Sequence, residues 1–92
     1  MSYLYVIASD VAGPVKLGYS KQPEKRLKQL QTGNPAPLCL FHFEEVDITD
    51  VKAAERNLHG LLGHRRIKGE WFELSVDEAI LEAVHARIQD SG

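Results

Sequence analysis

Four residues in the first third of the chain have side chains that phosphate chemistry uses: Tyr5, Lys16, Gly18 and Arg26. A planar guanidinium fork matches phosphate oxygens better than a lysine point charge does, so Arg26 is the stronger phosphate candidate and Lys16 a second cation. Gly18 lies within a strand-like stretch, where a glycine marks either a bulge or a place that a backbone or ligand approaches closely. Further on, Glu55 stands four residues after Val51 and three before Leu58, on the apolar side of a helical stretch. A carboxylate there needs a partner or a place at the core's edge, because an unpaired buried charge is costly. His59 follows one turn later, and an exposed Glu–His pair would read the same way.

Short elements must position these groups. Residues 3–9 set Tyr3, Tyr5 and Ile7 against Leu4, Val6 and Ala8. Both faces are apolar, which predicts a well-covered strand. Residues 14–19 put Val15, Leu17 and Tyr19 opposite Lys16 and Gly18, and Gly13-Pro14 between the runs predicts an antiparallel hairpin. A basic helix is predicted over 21–31, with Pro23 in its first turn and Leu27 and Leu30 as its buried stripe. Arg26 borders that stripe, a place that an ordinary surface arginine also takes.

Residues 38–46 are the strongest strand signal, and His42 within them reads as a strand-face histidine rather than a ligand. A second helix is predicted from Thr49 or Asp50 to Leu62, packing through Val51, Ala54, Leu58, Leu61 and Leu62. Trp71 and Phe72 read as lids that clamp the last segment onto the sheet, with a base-stacking platform as the alternative. Ser75-Val-Asp-Glu78 is a capping box opening a third helix to about Ile88, striped by Val76, Ile80, Val84 and Ile88. Residues 90–92 read as frayed. The expected fold class is α/β (α+β): an antiparallel or mixed sheet of about three strands flanked by about three helices.

Ninety-two residues predict a single domain, 1–92. A hydrophobic fraction of 43% and a charged fraction of 26% place it among ordinary globular proteins. No apolar run approaches the ~18 residues of a membrane span, and the N-terminus lacks a basic-then-apolar leader. Cys39, the one cysteine, has no disulfide partner in the chain. The expected location is cytoplasmic. A net charge of −2 argues against strong nonspecific nucleic-acid binding, yet the charge is segregated. Lys16, Lys21, Lys25, Arg26 and Lys28 run past one acid, Glu24, and Arg65, Arg66 and Lys68 form a second basic knot. One positive face is therefore possible despite the acidic sum.

The ordered set Tyr3-Leu4-Tyr5, Lys16-Leu17-Gly18 and Arg26, then Ala54-Glu55-Arg56-Asn57-Leu58-His59 and Gly69-Glu70-Trp71-Phe72, resembles the GIY-YIG nuclease superfamily. The likeness is to its small phage-type, Meiotically-up-regulated-gene-113-like branch. Lys16 stands eleven residues after Tyr5 and Arg26 ten after Lys16, the family's spacing, and the likeness runs from about Tyr3 to Ile80. Three features depart: Tyr3 replaces a glycine, Lys16 replaces a tyrosine that takes part in catalysis, and the asparagine that many larger members carry after the glutamate has no counterpart, Asn57 being too close to Glu55.

The resemblance implies a metal-dependent DNA endonuclease that hydrolyses a phosphodiester bond with one Mg²⁺ or Mn²⁺ ion. Glu55 would hold that ion, consistent with the one or two carboxylates that Mg²⁺ takes. Arg26 would hold the phosphate. Tyr5 would orient or deprotonate the water, helped if nearby cations lower its pKa, with Lys16 as such a cation and His59 as a second base. Implied nucleic-acid contacts are Lys16, Gly18, Lys21, Lys25, Arg26, Lys28, Arg65 and Arg66. DNA is the expected partner, with site selectivity coming from a partner protein or from substrate shape. Two other classes fit the same residues: a nucleic-acid-binding module of weakened or lost catalysis, and an interaction domain using Trp71 and the acidic C-terminal helix.

Overall fold

The first strand, β1 (Ser2–Ala8), has apolar residues on both faces because both faces are covered. It pairs antiparallel with β2 (Val15–Ser20) on one side and with β3 (Cys39–Val46) on the other. Two very short strands, β4 (Arg66–Lys68) and β5 (Trp71–Phe72), continue the sheet beyond β2. The resulting five-stranded sheet has the order β3-β1-β2-β5-β4, antiparallel throughout. Three helices complete the α+β architecture: α1 (Pro23–Thr32), α2 (Val51–Leu62) and α3 (Val76–Ser91). The computed structural model describes residues 2–91, with side chains through His85.

Register divides the side chains into two layers. Leu4, Val6, Ala8, Val15, Leu17 and Phe72 form the larger core with Leu58 and Leu62 of α2 and Val76, Ala79 and Ala83 of α3. On the opposite face Tyr5, Ile7 and Leu38 form a smaller core with Leu27 and Leu30 of α1, Leu40 and Trp71. The alternation along β1 thus feeds two helical layers, and α1 stands alone over the second.

The hairpin tip is built by Asp10 and Gly13. Asp10 accepts from the Ala12 amide at 2.8 Å and, through its carbonyl, from the Gly13 amide at 3.0 Å. Gly13 has φ +86°, and a side chain there would collide with the Leu74 carbonyl. The Val76 amide donates to Val11 at 2.9 Å and ties this tip to the start of α3.

Five strands replace the three expected from sequence. The extra pair, β4 and β5, has too few residues for any hydrophobic period to register. β3 is an edge strand, leaving Phe41 37% and Phe43 50% exposed. The helix caps follow the expected chemistry. Asp50 accepts from the Ala53 amide at 3.0 Å, while Ser75 and Glu78 exchange bonds of 3.1 and 3.0 Å.

The stripe of α3 differs from expectation. Ala79 and Ala83 face the core, Ile80 is half-buried and Val84 is 38% exposed. Small residues win that face because α3 packs directly on the sheet, where a branched side chain would hold it off. The side chain of Ile88 lies outside the described residues. The helix runs to Ser91, past the expected end at Ile88, so residues 90–91 are helical, and Gly92 lies outside the described residues.

Candidate functional site

Gly18 is where the site is built. It stands directly opposite Tyr5 in the β1–β2 register. A Cβ at position 18 would lie 2.5 Å from Glu70 Oε2 and 2.6 Å from the Tyr5 hydroxyl oxygen. The absent side chain is therefore the space in which these two groups meet. The close approach that a strand glycine signals comes from the protein's own side chains.

The Tyr5 hydroxyl donates to Glu70 Oε2 at 3.3 Å, and Lys16 Nζ lies 3.9 Å from the same oxygen. Lys16 also sits over the Trp71 ring, 5.5 Å from its centroid, a cation–π contact. Backbone pairing fixes Glu70 here: its carbonyl accepts from the Leu17 amide at 3.1 Å, extending the β2–β5 ladder into the turn after Gly69. Arg26, half-buried on α1, completes the group by interacting with the Tyr5 oxygen. Two cations, a phenol and a carboxylate thus converge on one face of the sheet.

The electrostatics follow from that crowding. Burial pushes the Tyr5 phenol up to about 12; the Arg26 hydrogen bond pulls the other way, and the Glu70 charge adds to the rise. Tyr5 is accordingly a neutral hydrogen-bond donor at physiological pH. The lowering expected from nearby cations is outweighed. Lys16 is lowered, first by burial, with Glu70 opposing that loss and Arg26 adding to it. Arg26 is held above its ordinary value, chiefly by Tyr5.

The remaining sequence-nominated residues divide. Lys21, Lys25 and Arg26 line a hollow of about 240 Å³ beside α1, with Ser20, Gln22 and Gln29. Lys28 is exposed on the same helix. Arg65 and Arg66 are engaged within the fold: Arg65 donates to the Glu73 carbonyl at 2.9 Å and pairs with Glu78 at 3.4 Å, and Arg66 donates to the Gly69 carbonyl at 2.8 Å. His59 meets Phe72 edge to face at 5.9 Å, in the core layer opposite Lys16 and Trp71. Glu55 precedes it on α2, half-exposed, with no hydrogen bond or ion pair to the Tyr5 group. Trp71 is half-buried, with the Lys16 ammonium over its ring.

Among the described residues no three His, Cys, Asp or Glu side chains gather as a metal site. Glu70, the one carboxylate of the Tyr5 group, is held by Lys16 and Tyr5, so that group does not fit a divalent ion. Among the described residues Glu55 stands as a single carboxylate without a protein partner, a donor set that Mg²⁺ accepts when water and substrate oxygens supply the rest. Glu70 was not among the residues nominated from sequence. Its signal was indirect: a lysine on the covered face of a strand requires a nearby countercharge.

A family model described as the T5orf172 domain matches residues 2–88, nearly the whole chain. The chain belongs to that family, a phage-associated domain that is structurally related to the GIY-YIG nucleases but distinct from them. Membership of the GIY-YIG superfamily, which the motif order suggests, is therefore incorrect. The departure at Lys16 now has a physical meaning, since the lysine in place of a tyrosine comes with its own counterion, Glu70. No curated protein and no solved structure gave a significant match.

Proposed function

We propose that this T5orf172-domain protein binds the phosphodiester backbone of nucleic acid, in the first instance DNA, and hydrolyses it at the Tyr5–Lys16–Arg26–Glu70 group. The observation that carries this reading is the convergence of Lys16 and Arg26 with one phenol and one carboxylate around the gap at Gly18. In the free protein the Glu70 carboxylate occupies the place of an anion. A phosphate entering between the two cations takes over their contacts and that of the Tyr5 hydroxyl, and releases Glu70.

Each group then has one task. Lys16 and Arg26 supply the countercharge for the pentacoordinate phosphorus, and Tyr5, protonated, donates to a non-bridging oxygen. Glu70 accepts a proton from the attacking water as the water oxygen bonds to phosphorus. The bond from phosphorus to the leaving oxygen breaks, and that oxygen takes a proton from solvent. A divalent ion, Mg²⁺ or Mn²⁺, enters the proposal through Glu55 alone, which would hold it with one carboxylate and water completing its shell.

Nicking of supercoiled plasmid with and without Mg²⁺ or Mn²⁺ tests the reading. Wild type should nick, and Arg26→Ala and Glu70→Gln should each lose about a hundredfold or more in rate, the scale of losing one positioned group in a transition state. Glu55→Ala should lose the metal-dependent part of the rate. Equal nicking by all four proteins would sink the assignment. A second reading, binding without cleavage, is favoured by the Lys16–Glu70 ion pair, which already satisfies the lysine. Binding by wild type without nicking would select it.

A further inference from the structure

Next to the Tyr5 group lies an open cleft of about 500 Å³ between the first turns of α1 and the sheet, lined by Tyr3, Phe43, Lys21, Glu24, Lys25 and Lys28 among others. Its floor is aromatic. Phe43 and Tyr3 meet edge to face with centroids 5.8 Å apart and planes at 72°. Phe43 is 50% exposed on edge strand β3. Its register partner is Tyr5, and the register partner of Tyr5 on the other side is Gly18. Phe43, Tyr5 and Gly18 therefore form one cross-strand row on one face of the sheet. Neighbouring strands lie ~4.8 Å apart, so the exposed ring is about one strand spacing from Tyr5.

The rim has the complementary charge. Three lysines face one glutamate; Lys25 and Lys28 belong to the helix that also carries Arg26, and Lys21 stands just before it. An exposed ring beside a run of cations matches the two halves of a nucleotide: a flat π face, and a phosphate on each side. Any base stacks on such a ring, whereas a base inside a duplex is already stacked on its neighbours and is withheld from it.

We propose that Phe43 and Tyr3 form a stacking platform for an unpaired base next to the phosphate held by Lys16 and Arg26. Lys21, Lys25 and Lys28 contact the flanking backbone. This inference rests on the nucleic-acid reading above and adds a substrate class to it: single strands, or duplexes with an extruded or frayed nucleotide. It places stacking on β3 rather than on Trp71, whose ring is taken by Lys16.

The test is fluorescence anisotropy with a labelled short oligothymidine and an abasic backbone of equal length, using wild type, Phe43→Ala, Phe43→Trp and Arg26→Ala. Phe43→Ala should weaken oligothymidine binding by about fivefold to a hundredfold, the range for losing one base–aromatic stack, and leave abasic binding unchanged. Phe43→Trp should keep or tighten oligothymidine binding, and Arg26→Ala should weaken both ligands. Because Phe43 is half exposed, unchanged unfolding curves should accompany these effects. If Phe43→Ala weakens both ligands equally, or neither, the platform is refuted while the nucleic-acid reading stands. If wild type binds neither ligand and no duplex, the proposed function fails and the platform fails with it.

Discussion

Burial is the main cause of the shifts at Tyr5 and Lys16, and Glu70 acts on both. Its charge favours the protonated forms of Tyr5 and Lys16 alike, so Glu70→Gln should lower both pKa values. The change for Tyr5 can be followed by its absorbance in a pH titration. The same shift governs stability in alkali. Tyrosine ionises at 10.0 when unperturbed, and Tyr5 at about 12 in the fold. Folding therefore holds the proton, and the associated stability is fully present below about pH 10 and lost as pH rises toward about 12. Its size is on the order of 2–3 kcal/mol, from 1.36 kcal/mol per pKa unit. Lys16 acts in the opposite sense and at lower pH: its depressed pKa costs stability while it is charged, and the cost disappears as pH rises to its unfolded value. Denaturant unfolding of wild type and Tyr5→Phe between pH 8 and pH 12, a window set by these shifts, separates the two. Tyr5→Phe should lose the decline above about pH 10 and keep the Lys16 contribution. An unchanged decline in Tyr5→Phe would mean that Tyr5 is not the group held protonated.

At the level of elements, the face that α3 buries is the clearest case of size competing with hydrophobicity. Ala79 and Ala83 are fully buried, whereas Leu81 is 71% exposed. Ala83→Leu should overpack this contact and cost about 1–3 kcal/mol, and Leu81→Ala should stay within about 0.5 kcal/mol. Chemical denaturation measures both, and the reverse order would refute the packing described here. A stripe read from sequence favours the largest apolar side chains, which is why Ile80 and Val84 were expected in that role. Elements with strong local signals were legible: the apolar alternation of β1, the Gly13-Pro14 breaker, Pro23 in the first turn of α1, and the caps at Asp50 and Ser75. Those defined by long-range pairing were not. β4 and β5 exist because Trp71 and Phe72 pair with Lys16 and Val15, more than fifty residues away in the chain. The candidate site was legible except for Glu70 and the platform at Phe43, for the same reason. Tyr5, Lys16, Gly18 and Arg26 come from neighbouring segments, while Glu70 arrives through β5, and the platform at Phe43 needs the β1–β3 register.

For the whole molecule, the net charge of −2 conceals how the charge is used. Arg65 and Arg66 are engaged with Glu73, Glu78 and Gly69. Lys21, Lys25 and Lys28 line the cleft beside α1. Phosphate contacts made by lysines release counterions, and each contributes about 0.9 to the slope of log affinity against log salt on duplex DNA, or about 0.7 on single strands. Replacing Lys21, Lys25 and Lys28 together by alanine should therefore reduce that slope by roughly 2–3. Replacing Arg65 and Arg66 should leave the slope nearly unchanged, while lowering stability by about 0.5–1.5 kcal/mol per lost hydrogen bond. Titrations of a short oligonucleotide over a range of salt concentrations, with unfolding curves for each protein, separate the two sets. An arginine pair that carries the slope would move the binding face to the β4 edge of the sheet, away from the Tyr5 group. A lysine set that carries it keeps phosphate contacts, stacking platform and candidate chemistry on one face, with α1 and its Arg26 as the element common to all three.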